Sequence, residues 1–502
     1  MIRFGTSGWR AIIADEFNFL NVRRVSSALA NHIKENTEYG VLSAEYKSFV
    51  GNSLPRLPLV VIGFDGRFLS EEFAREVAGV FALEGIKTIL ANSDTPTPVV
   101  GHAILSHKAV GGVVITASHN SPQYNGFKWM PFWAGSAPPD VTSDIERRLE
   151  LIQSHDIKVM SFEKALQEAW TEVSDFRTSY FKHISSIIDT NAIKKARLKI
   201  GIDVMHGAAR HYLRPFLENC GVAVSALHEN RDVLYNGHSP EPAPENLLEL
   251  SALVKKNRLH LGLSCDGDAD RFGILDFGGA WISANEILAL VLEHLVSNRG
   301  MKGKIARSVM TSHFVDAVAK SHSLDIRETP VGFKFIGELL RTGQYLLGGE
   351  ESGGLSIRNH VPDKDGILAC LLVTEMVAIE KKSITELRNR LFKKVGAFHN
   401  TRINFHMPHL RERLELEDRL HTKPPLDLAG GSVWRIDESD GFKFILRDGS
   451  WLGLRPSGTE SAFRIYAEAS TPKKLADLIG AGKNLLYHRH QRDQESPPQD
   501  RN

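Results

Sequence analysis

The chain of 502 residues has little cysteine, no long apolar run and no surplus of charge of either sign. Its three cysteines, Cys220, Cys265 and Cys370, lie far apart and form no Cys-x-x-Cys pair. This spacing argues against a disulfide framework or a zinc knuckle, so we expect buried thiols in a reducing compartment. The apolar runs, such as 367–373, are far shorter than the roughly 18 residues that span a bilayer. The opening residues lack the basic and apolar segments of a signal peptide, and we expect a cytoplasmic protein.

The charge balance excludes recruitment of partners by a global electrostatic field. The 61 basic and 60 acidic residues leave a formal charge of +1. Such a chain has no overall attraction for nucleic acid or for an anionic membrane, and we expect neither as a partner. An anionic small molecule must instead be bound by local groups, in a monomer or a homodimer.

Three similar α/β units follow one another along the chain. Each is predicted from apolar runs that end in polar or glycine-containing turns, with helices between them. The predicted strands are, in chain order, 57–64, 86–91 and 110–115, then 198–204, 222–227 and 260–265, then 304–310, 324–328 and 345–348. In the first unit, Ser70 is expected to cap a helix that runs to about Glu84. Ligands of open parallel sheets bind beyond the carboxyl ends of the strands, so the three units predict a shared cleft.

The last part of the chain has a different character. Its short strands at 432–437, 442–446 and 462–468 precede a helix at 472–486, which predicts a smaller α+β domain. The proposed boundaries are 1–170, 171–282 and 283–395 for the α/β domains, 396–490 for the α+β domain and 491–502 for a disordered tail.

Three aspartates at alternate positions give the strongest chemical signal. Asp266, Asp268 and Asp270 follow a predicted buried strand, and carboxylates this close repel one another unless a cation lies between them. An EF-hand would need glycine at the sixth position and glutamate at the twelfth, where this chain has Arg271 and Phe277. The two remaining interpretations are a solvated acidic turn and a site for a hard divalent ion such as Mg²⁺.

A serine at another strand end provides a suitable partner for that ion. Ser118 lies in the stretch Thr116 to Asn120, directly after a predicted strand. A phosphoserine there would bring nearly two negative charges to the metal, whereas a structural serine is the plain alternative. A hydrolase nucleophile with His119 as base is disfavoured, because neighbours on a strand end point in opposite directions and no Gly-x-Ser-x-Gly elbow is present.

Further loops carry groups suited to a phosphosugar. Glu350 and Ser352 offer an acceptor and a donor for neighbouring hydroxyls, although a helix cap explains Ser352 equally well. A second loop combines a guanidinium, hydroxyls and free backbone amides, as a phosphate cradle or a plain turn would. The residues of that loop are Arg455, Ser457, Gly458 and Thr459. The glycine-rich opening loop that ends at Arg10 is either an anion-binding loop or a tight turn.

Taken together, these loops resemble the four signatures of the α-D-phosphohexomutase family, in that family's order and over nearly the whole chain. The signatures are the serine loop 116–120, the metal loop 266–271, the sugar loop 349–354 and the phosphate loop 455–460. The resemblance implies three related α/β domains with mixed sheets and a smaller C-terminal α+β domain, arranged around a central cleft.

The resemblance also implies the reaction. Phosphorylated Ser118 would donate its phosphoryl group to a hexose monophosphate, giving a hexose 1,6-bisphosphate that reorients and returns the other phosphate. Ser118 and the three aspartates would hold Mg²⁺, and Lys128 resembles the family's candidate for acid/base work. Arg10 resembles the catalytic-site arginine of the family's opening loop, Arg271 resembles an arginine near the phosphoserine, and Lys364 resembles a lysine that contacts substrate.

The sequence departs from the family's usual pattern at two places, and other residues favour one branch of the family. Ser121 precedes Pro122 where the family often has proline directly after the asparagine, and 331–334 lacks a histidine that some members carry. The Glu-Glu-Ser-Gly-Gly loop and Trp9 resemble the phosphoglucomutase and phosphomannomutase branch, which favours glucose phosphates, with mannose phosphates tolerated. A phosphoglucosamine mutase and a catalytically silent phosphosugar-binding regulator remain as alternatives.

Overall fold

Four β-sheets, each with its own helices, succeed one another along the chain of this computed structural model. The structure describes residues 2–5, 8–38, 46–49, 57–152, 157–407, 409–456 and 462–487. Three mixed α/β units are followed by a smaller α+β unit, so the predicted fold class is confirmed. None of the helices in these ranges combines the length and apolar character needed to cross a lipid bilayer.

The first unit contains the predicted parallel strands and two antiparallel ones at its edge. Its strands are β1 (Trp9–Ile12), β2 (Leu59–Phe64), β3 (Lys87–Ala91), β4 (Gly111–Ile115), β5 (Tyr124–Pro131) and β6 (Thr171–Ser174), in the sheet order β1-β5-β4-β2-β3-β6. Its helices are α1 (Phe19–Glu38), α2 (Ser70–Leu83), α3 (Thr97–His107), α4 (Pro139–Leu151) and α5 (Phe162–Gln167). Strand β5 returns antiparallel to β4, so the serine loop lies between two paired strands.

The second unit has the same plan on a smaller scale. Its strands are β7 (Lys199–Asp203), β8 (Ala223–Leu227), β9 (Leu261–Cys265), β10 (Phe272–Leu275) and β11 (Trp281–Ile282), ordered β11-β10-β9-β7-β8. Its helices are α6 (Arg177–Ile187), α7 (Thr190–Ala196), α8 (Leu213–Asn219) and α9 (Leu248–Lys256). The metal loop connects β9 to the antiparallel β10.

The third unit repeats this arrangement around the sugar loop. Its strands are β12 (Lys304–Ser308), β13 (Ile326–Thr329), β14 (Tyr345–Glu350) and β15 (Gly354–Ile357), ordered β13-β12-β14-β15. Its helices are α10 (Ala284–Ser297), α11 (His313–Ser321), α12 (Phe333–Leu340), α13 (Gly366–Glu380) and α14 (Ile384–Val395). The sugar loop is the turn of the hairpin between β14 and β15.

The fourth unit is an antiparallel sheet with helices on it. Its strands are β16 (His399–His406), β17 (Asp427–Leu428), β18 (Gly431–Asp437), β19 (Phe442–Leu446), β20 (Trp451–Pro456) and β21 (Ala462–Ala469), ordered β16-β21-β20-β19-β18-β17. Its helices are α15 (Leu410–Thr422) and α16 (Pro472–Tyr487). This unit has an apolar core of its own, whereas one continuous core joins the first three units.

Two expectations need correction. Thr171–Ser174 pairs with Lys87–Ala91, so the first sheet continues past the proposed boundary at residue 170. Ser70 is the first residue of α2 rather than its cap, because its hydroxyl donates to the Asp65 carboxylate (2.8 Å) instead of accepting from the helix backbone. The expected tail, 491–502, lies outside the described residues.

Candidate active site

The serine loop begins where strand β4 ends. The Thr116 hydroxyl accepts a hydrogen bond from the Ser118 backbone N–H (2.8 Å) and donates one to Asp65 Oδ2 (2.6 Å). Ser118 is 1% exposed and has a φ of 53°, in the left-handed region that is rare for residues other than glycine. The surrounding hydrogen bonds therefore hold Ser118 in a conformation that turns the chain out of the strand.

A buried arginine fixes the backbone of this loop. The guanidinium of Arg67 donates to the backbone carbonyls of Ser118 and Asn120, at 2.6 Å each. It also donates to the carbonyls of Ser121 (2.9 Å) and Tyr124 (3.0 Å) and to Asp65 Oδ2 (3.1 Å). These five hydrogen bonds from one side chain restrict the backbone of the loop to one conformation.

The metal loop faces the serine. The Ser118 hydroxyl donates to Asp266 Oδ2 (2.8 Å), and oxygens of Asp266, Asp268 and Asp270 all lie within 4.8 Å of one another. The backbone at Gly267 touches the serine loop, because a Cβ on this residue would lie 2.6 Å from the Ser118 carbonyl oxygen. The two loops are thus packed without space for a side chain between them.

The electrostatics of the three carboxylates fit a divalent cation. Burial and the neighbouring Asp270 and Asp268 raise the pKa of Asp266 well above its ordinary value. Burial opposes the charge on Asp270, but Lys364, Lys128 and Arg271 outweigh it and hold its pKa below its usual range. The Oδ1 atoms of Asp268 and Asp270 are buried without a hydrogen-bond partner among the described residues. Oxygens of this kind are the ligands that Mg²⁺ takes, so the residues present fit the implied ion.

Two lysines and a threonine converge on the same carboxylates. Lys128 Nζ lies 2.5 Å from Asp268 Oδ2 and 3.2 Å from Asp270 Oδ2, while Lys364 Nζ lies 3.1 Å from Asp270 Oδ2. Thr97, at the start of α3, donates to Asp268 Oδ2 (2.6 Å). Burial disfavours the charge on Lys128, but the two facing carboxylates outweigh it and raise its pKa. The site therefore joins residues of all three α/β units.

The remaining arginines border this group. Arg10 donates to the Asn120 side chain (2.7 Å), which places it beside the serine loop. Arg271 lies within 4.0 Å of Asp270 and 3.6 Å of Glu241, and its Nε is buried without a hydrogen-bond partner among the described residues.

His119 departs from the sequence-based expectation. Its Nδ1 lies 3.3 Å from Ser118 Oγ, so the two neighbouring side chains do not point in opposite directions. Strand alternation fails here because the left-handed φ of Ser118 has already broken the extended chain. Burial, with Arg271 and Arg10 nearby, lowers the pKa of His119 well below its ordinary value, which favours the neutral form of the ring.

The sugar loop presents a carboxyl group at the end of β14. Glu350 accepts from the Gly332 backbone N–H (2.7 Å), and burial together with Glu351 raises its pKa to about 7. Glu351 accepts from the Ser308 hydroxyl (3.1 Å). Ser352 is partly exposed in the hairpin turn, a position open to a ligand.

The phosphate loop is described in part. Arg455 lies on β20, where its Nε donates to Asp440 Oδ1 (2.8 Å). Ser457, Gly458 and Thr459 lie outside the described residues.

Arg67, Thr97 and Asp65 were missed by sequence reasoning. Asp65 and Arg67 stand in the Asp-Gly-Arg turn that closes the first long apolar run, and the turn by itself suggests no contact with Ser118. Thr97 is recognisable only as part of a helix start. Their partners lie far away in the sequence, and only the tertiary fold brings them together.

Family models match the chain in four consecutive segments. They are the phosphoglucomutase/phosphomannomutase α/β/α domains I (residues 1–156), II (178–279) and III (283–395), and the C-terminal domain (403–481) of the same family.

Relatives match the chain over most of its length. A phosphoglucomutase/phosphomannomutase of Thermococcus kodakarensis is 30% identical, covering 86% of this chain and 90% of the relative. A protein of Methanothermobacter thermautotrophicus named probable phosphoglucosamine mutase is 31% identical, covering 94% of each chain. A solved structure from Thermus thermophilus, provisionally assigned as a phosphomannomutase, has a TM-score of 0.81 at 29% identity, covering 97% of this chain and 99% of that one.

These matches agree with the geometry of the serine, metal and sugar loops. Relatives at this identity and coverage, together with all four domains in order, settle the family and the class of enzyme. The chain belongs to the α-D-phosphohexomutase family and is a phosphohexomutase, an intramolecular phosphotransferase of the isomerase class.

Proposed function

We propose that this protein interconverts hexose 1-phosphate and hexose 6-phosphate through a phosphoserine at Ser118 and a hexose 1,6-bisphosphate intermediate. The observation that carries this proposal is the 2.8 Å contact between Ser118 Oγ and Asp266, within a group of three buried carboxylates. The Ser118 hydroxyl gives these carboxylates one hydrogen bond but no positive charge, so the group still needs a cation. A phosphoserine would share that cation with the aspartates.

Asp266, Asp268 and Asp270 would hold Mg²⁺ together with an oxygen of the phosphoserine. When bound, the ion neutralises negative charge on the phosphoryl group as it is transferred. Lys128 and Lys364 add two further positive charges at the same place. The protein's contribution is alignment and charge, which is most of what phosphoryl transfer requires.

Each transfer moves one proton as well as one phosphoryl group. The bond between Ser118 Oγ and phosphorus breaks while a sugar hydroxyl forms its bond to phosphorus, so the hydroxyl loses a proton and Oγ gains one. Lys128 is our candidate for supplying the proton that Oγ gains, since its ion pairs favour the ammonium form. The sugar hydroxyl must give its proton to a different group, and His119, whose lowered pKa favours the neutral ring and whose Nδ1 lies 3.3 Å from Oγ, is our candidate for that acceptor.

The substrate is positioned by the remaining loops. Glu350 and Ser352 would accept from and donate to sugar hydroxyls, with Lys364 beside them. Arg455, with Ser457, Gly458 and Thr459, would bind the phosphate that is not being transferred, and Arg10 and Arg271 would face the reacting one. The bisphosphate activates the enzyme by restoring the phosphoserine. We place this activity in the cytoplasm.

Replacing Ser118 with alanine tests the mechanism. After incubation with glucose 1,6-bisphosphate and Mg²⁺, intact-mass spectrometry should show one phosphoryl group on the wild type and none on Ser118→Ala. Mutase activity should fall by at least about 10³-fold, because removing a covalent nucleophile abolishes the two-step route. Ser121→Ala, directly after the serine loop, is the control and should keep both the phosphate and the activity. A Ser118→Ala enzyme with full activity would refute the proposal.

The choice of sugar needs its own comparison. Glucose phosphates are our proposed substrates, with mannose tolerated, because Glu350 and Ser352 would read hydroxyls away from the carbon that distinguishes the two sugars. The relative named probable phosphoglucosamine mutase, at 31% identity, favours the amino sugar as a second candidate. Measuring kcat/KM for glucose, mannose and glucosamine 1-phosphates ranks the three. A protein that binds all of them without turnover would instead be a phosphosugar-binding regulator.

A further inference from the structure

Two aspartates of the metal loop have one oxygen engaged and one left over. Oδ2 of Asp268 and Oδ2 of Asp270 are bound by neighbouring side chains, whereas Oδ1 of each is buried without a hydrogen-bond partner among the described residues. Buried oxygens of this kind cost free energy unless a partner satisfies them, so the Oδ1 atoms are the ones left for a cation. The way each carboxylate is turned therefore decides how well the loop binds an ion.

Thr97 contacts Asp268 at two points. Its hydroxyl donates to Asp268 Oδ2 (2.6 Å), and its backbone N–H donates to the Asp268 carbonyl (3.0 Å). Both residues are buried, with exposures of 2% for Thr97 and 0% for Asp268. A single residue of the first unit thus fixes both the backbone and the side chain of a residue in the second.

Thr97 is itself held rigidly. It is the first residue of helix α3, where backbone N–H groups have no partner within the helix and are free to bind Asp268. In the next turns, Val99, Val100 and Ile104 are fully buried where the helix packs on the first sheet. The hydroxyl is attached to Cβ of a β-branched side chain, so a single torsion sets its position.

A second contact holds the same segment against the second unit. Asp94, three residues before Thr97, forms a buried ion pair with Arg210 (2.8 Å), and Arg210 also donates to the His206 carbonyl (2.6 Å). The segment 94–97 is therefore attached to the second unit at both of its ends. Because the Asp94 pair remains, removal of the Thr97 hydroxyl should leave the two units packed together.

The other partner of Asp268 Oδ2 is less suited to fix it. Lys128 has a long flexible side chain, and its ammonium group is shared between Asp268 and Asp270. It is also our candidate for giving a proton to Ser118 Oγ. A lysine that moves toward Oγ would release Asp268, whereas the Thr97 hydroxyl would keep the carboxylate in place.

We propose that Thr97 is a positioning residue for the divalent ion: its hydroxyl holds Oδ2 of Asp268 and thereby keeps Oδ1 available to the ion. This inference rests on the proposed function, in which Asp266, Asp268 and Asp270 hold Mg²⁺. Thr97 acts through Asp268 and is not itself a ligand. Outer groups that orient a metal ligand change the affinity for the metal by about 10-fold to 100-fold when they are removed.

Binding of Mn²⁺ tests this role without using mutase activity. Mn²⁺ prefers the same oxygen ligands as Mg²⁺, and the free ion is measured by electron paramagnetic resonance while the full-length protein is titrated without substrate. Thr97→Val removes the hydroxyl and keeps the branched shape, so it should weaken Mn²⁺ binding by about 10-fold to 100-fold. Thr97→Ser keeps the hydroxyl and should restore the affinity of the wild type. Thr97→Ala makes the same test if urea denaturation shows that the valine variant is not folded.

Thr95→Val is the matched control. Thr95 is also 2% exposed, but its hydroxyl donates to the Ser93 carbonyl (2.9 Å), so this variant should bind Mn²⁺ like the wild type. Wild-type affinity in Thr97→Val, or equal losses in the Thr95 and Thr97 variants, would overturn the positioning role and leave the metal site standing. A wild type that binds no Mn²⁺ would instead contradict the metal site of the proposed function, and this inference with it.

The dependence of activity on Mg²⁺ gives a second readout. The Mg²⁺ concentration for half-maximal mutase activity should rise in Thr97→Val by a factor similar to the loss of Mn²⁺ affinity, and return in Thr97→Ser. A loss of activity that excess Mg²⁺ does not relieve would contradict a role through the ion.

Discussion

At the scale of single residues, Arg67 shows how a buried side chain sets the geometry of a distant loop. It is fully buried, and its five donors reach four backbone carbonyls and Asp65. The Asp65 carboxylate is fastened in turn by Thr116 and Ser70. Ser118 is held in its left-handed conformation through this network, so a residue that touches no substrate determines where the hydroxyl points.

Replacing Arg67 with methionine should damage both stability and activity. The change removes the positive charge beside the buried Asp65 carboxylate and takes one hydrogen bond from each of four carbonyls, which costs about 3–5 kcal/mol of unfolding free energy. Urea denaturation measures this loss, and phosphorylation of Ser118 by glucose 1,6-bisphosphate should slow in the fraction that remains folded. Arg75→Met removes an exposed pair with Glu71 and should cost less than about 0.5 kcal/mol. Similar losses in the two variants would contradict this assignment.

At the scale of elements, the start of helix α13 is held by several hydrogen bonds to one carboxylate. Asp365 caps the helix by accepting from the Leu368 N–H (2.8 Å), and its other oxygen accepts from Tyr180 (2.6 Å) and contacts His360 (2.8 Å). The neighbouring Lys364 reaches the metal loop. The Asp365 carboxylate therefore caps the helix and connects the third unit to the second. It also fixes the backbone next to Lys364, a lysine of the site.

The cap gives a prediction with a matched control inside the same unit. Asp365→Ala should lower the unfolding free energy by about 2–4 kcal/mol, since it removes a cap and leaves the Tyr180 hydroxyl buried without a partner. Ser383→Ala removes the exposed capping box of α14 and should cost about 1 kcal/mol. Thermal and urea unfolding measure both. The assignment fails if the exposed cap costs as much as the buried one.

The elements themselves were predicted unevenly. Parallel strands such as Leu59–Phe64 and Leu261–Cys265 were predicted within a few residues, because strands covered on both faces are continuous apolar runs. The antiparallel strand Tyr124–Pro131 was not predicted, since its sequence mixes polar, aromatic and proline residues without alternation. Hydrogen bonding to the two neighbouring strands, rather than the strand propensity of its own residues, holds this segment extended.

At the scale of the whole molecule, three histidines join the three α/β units. His102 of α3 stacks on His183 of α6 with centroids 4.8 Å apart, and His183 stacks on His360 of the third unit at 5.2 Å. His183 Nε2 lies 3.0 Å from His360 Nδ1, and His360 contacts Asp365. Burial, followed by the neighbouring His360, lowers the pKa of His102 and of His183 to about 4.

This stack predicts a loss of stability in mild acid. Between pH 6.5 and about 4 the unfolded chain binds protons that the folded stack does not, so the unfolding free energy falls as the pH falls. His102→Phe keeps a stacking ring and removes one titrating group, and should reduce the loss by on the order of 1 kcal/mol after solvent screening. Urea denaturation at pH 7 and pH 5 measures the difference. An unchanged pH dependence in this variant, with His260→Gln as control, would contradict the prediction.

The fourth unit is a structural unit of its own that packs against the third. It has an apolar core of its own, but a smaller buried apolar cluster packs it against the third unit, formed by Val309, Met310, Ile445, Trp451 and Tyr466. Polar contacts such as Val331 N–H to Asp440 (2.8 Å) add to this interface. A unit with its own core can move as a rigid body if this interface adjusts, and the proposed bisphosphate intermediate would need such a motion in order to reorient.

Ligand binding should therefore slow backbone hydrogen exchange in the link between the third and fourth units and in the phosphate loop. We expect protection to rise near Gly396 and Arg455 when glucose 1,6-bisphosphate binds, as measured by exchange mass spectrometry. Helix α15, which contributes no residue to the four loops, serves as the internal reference and should not change. Unaltered exchange at both positions would count against closure of the fourth unit.

The sequence by itself determined the central parallel strands with the helices between them, the succession of three α/β units and one α+β unit, and the loops whose members are contiguous, such as Asp266 to Asp270. These depend on local periodicity and spacing, which a chain displays without folding. The tertiary structure decided which side chains meet: Arg67 with the Ser118 carbonyl, Thr97 with Asp268, and Lys364 with Asp270. Such contacts join residues far apart in the chain, and their positions follow from the packing of whole units. Local pattern carries no information about that packing.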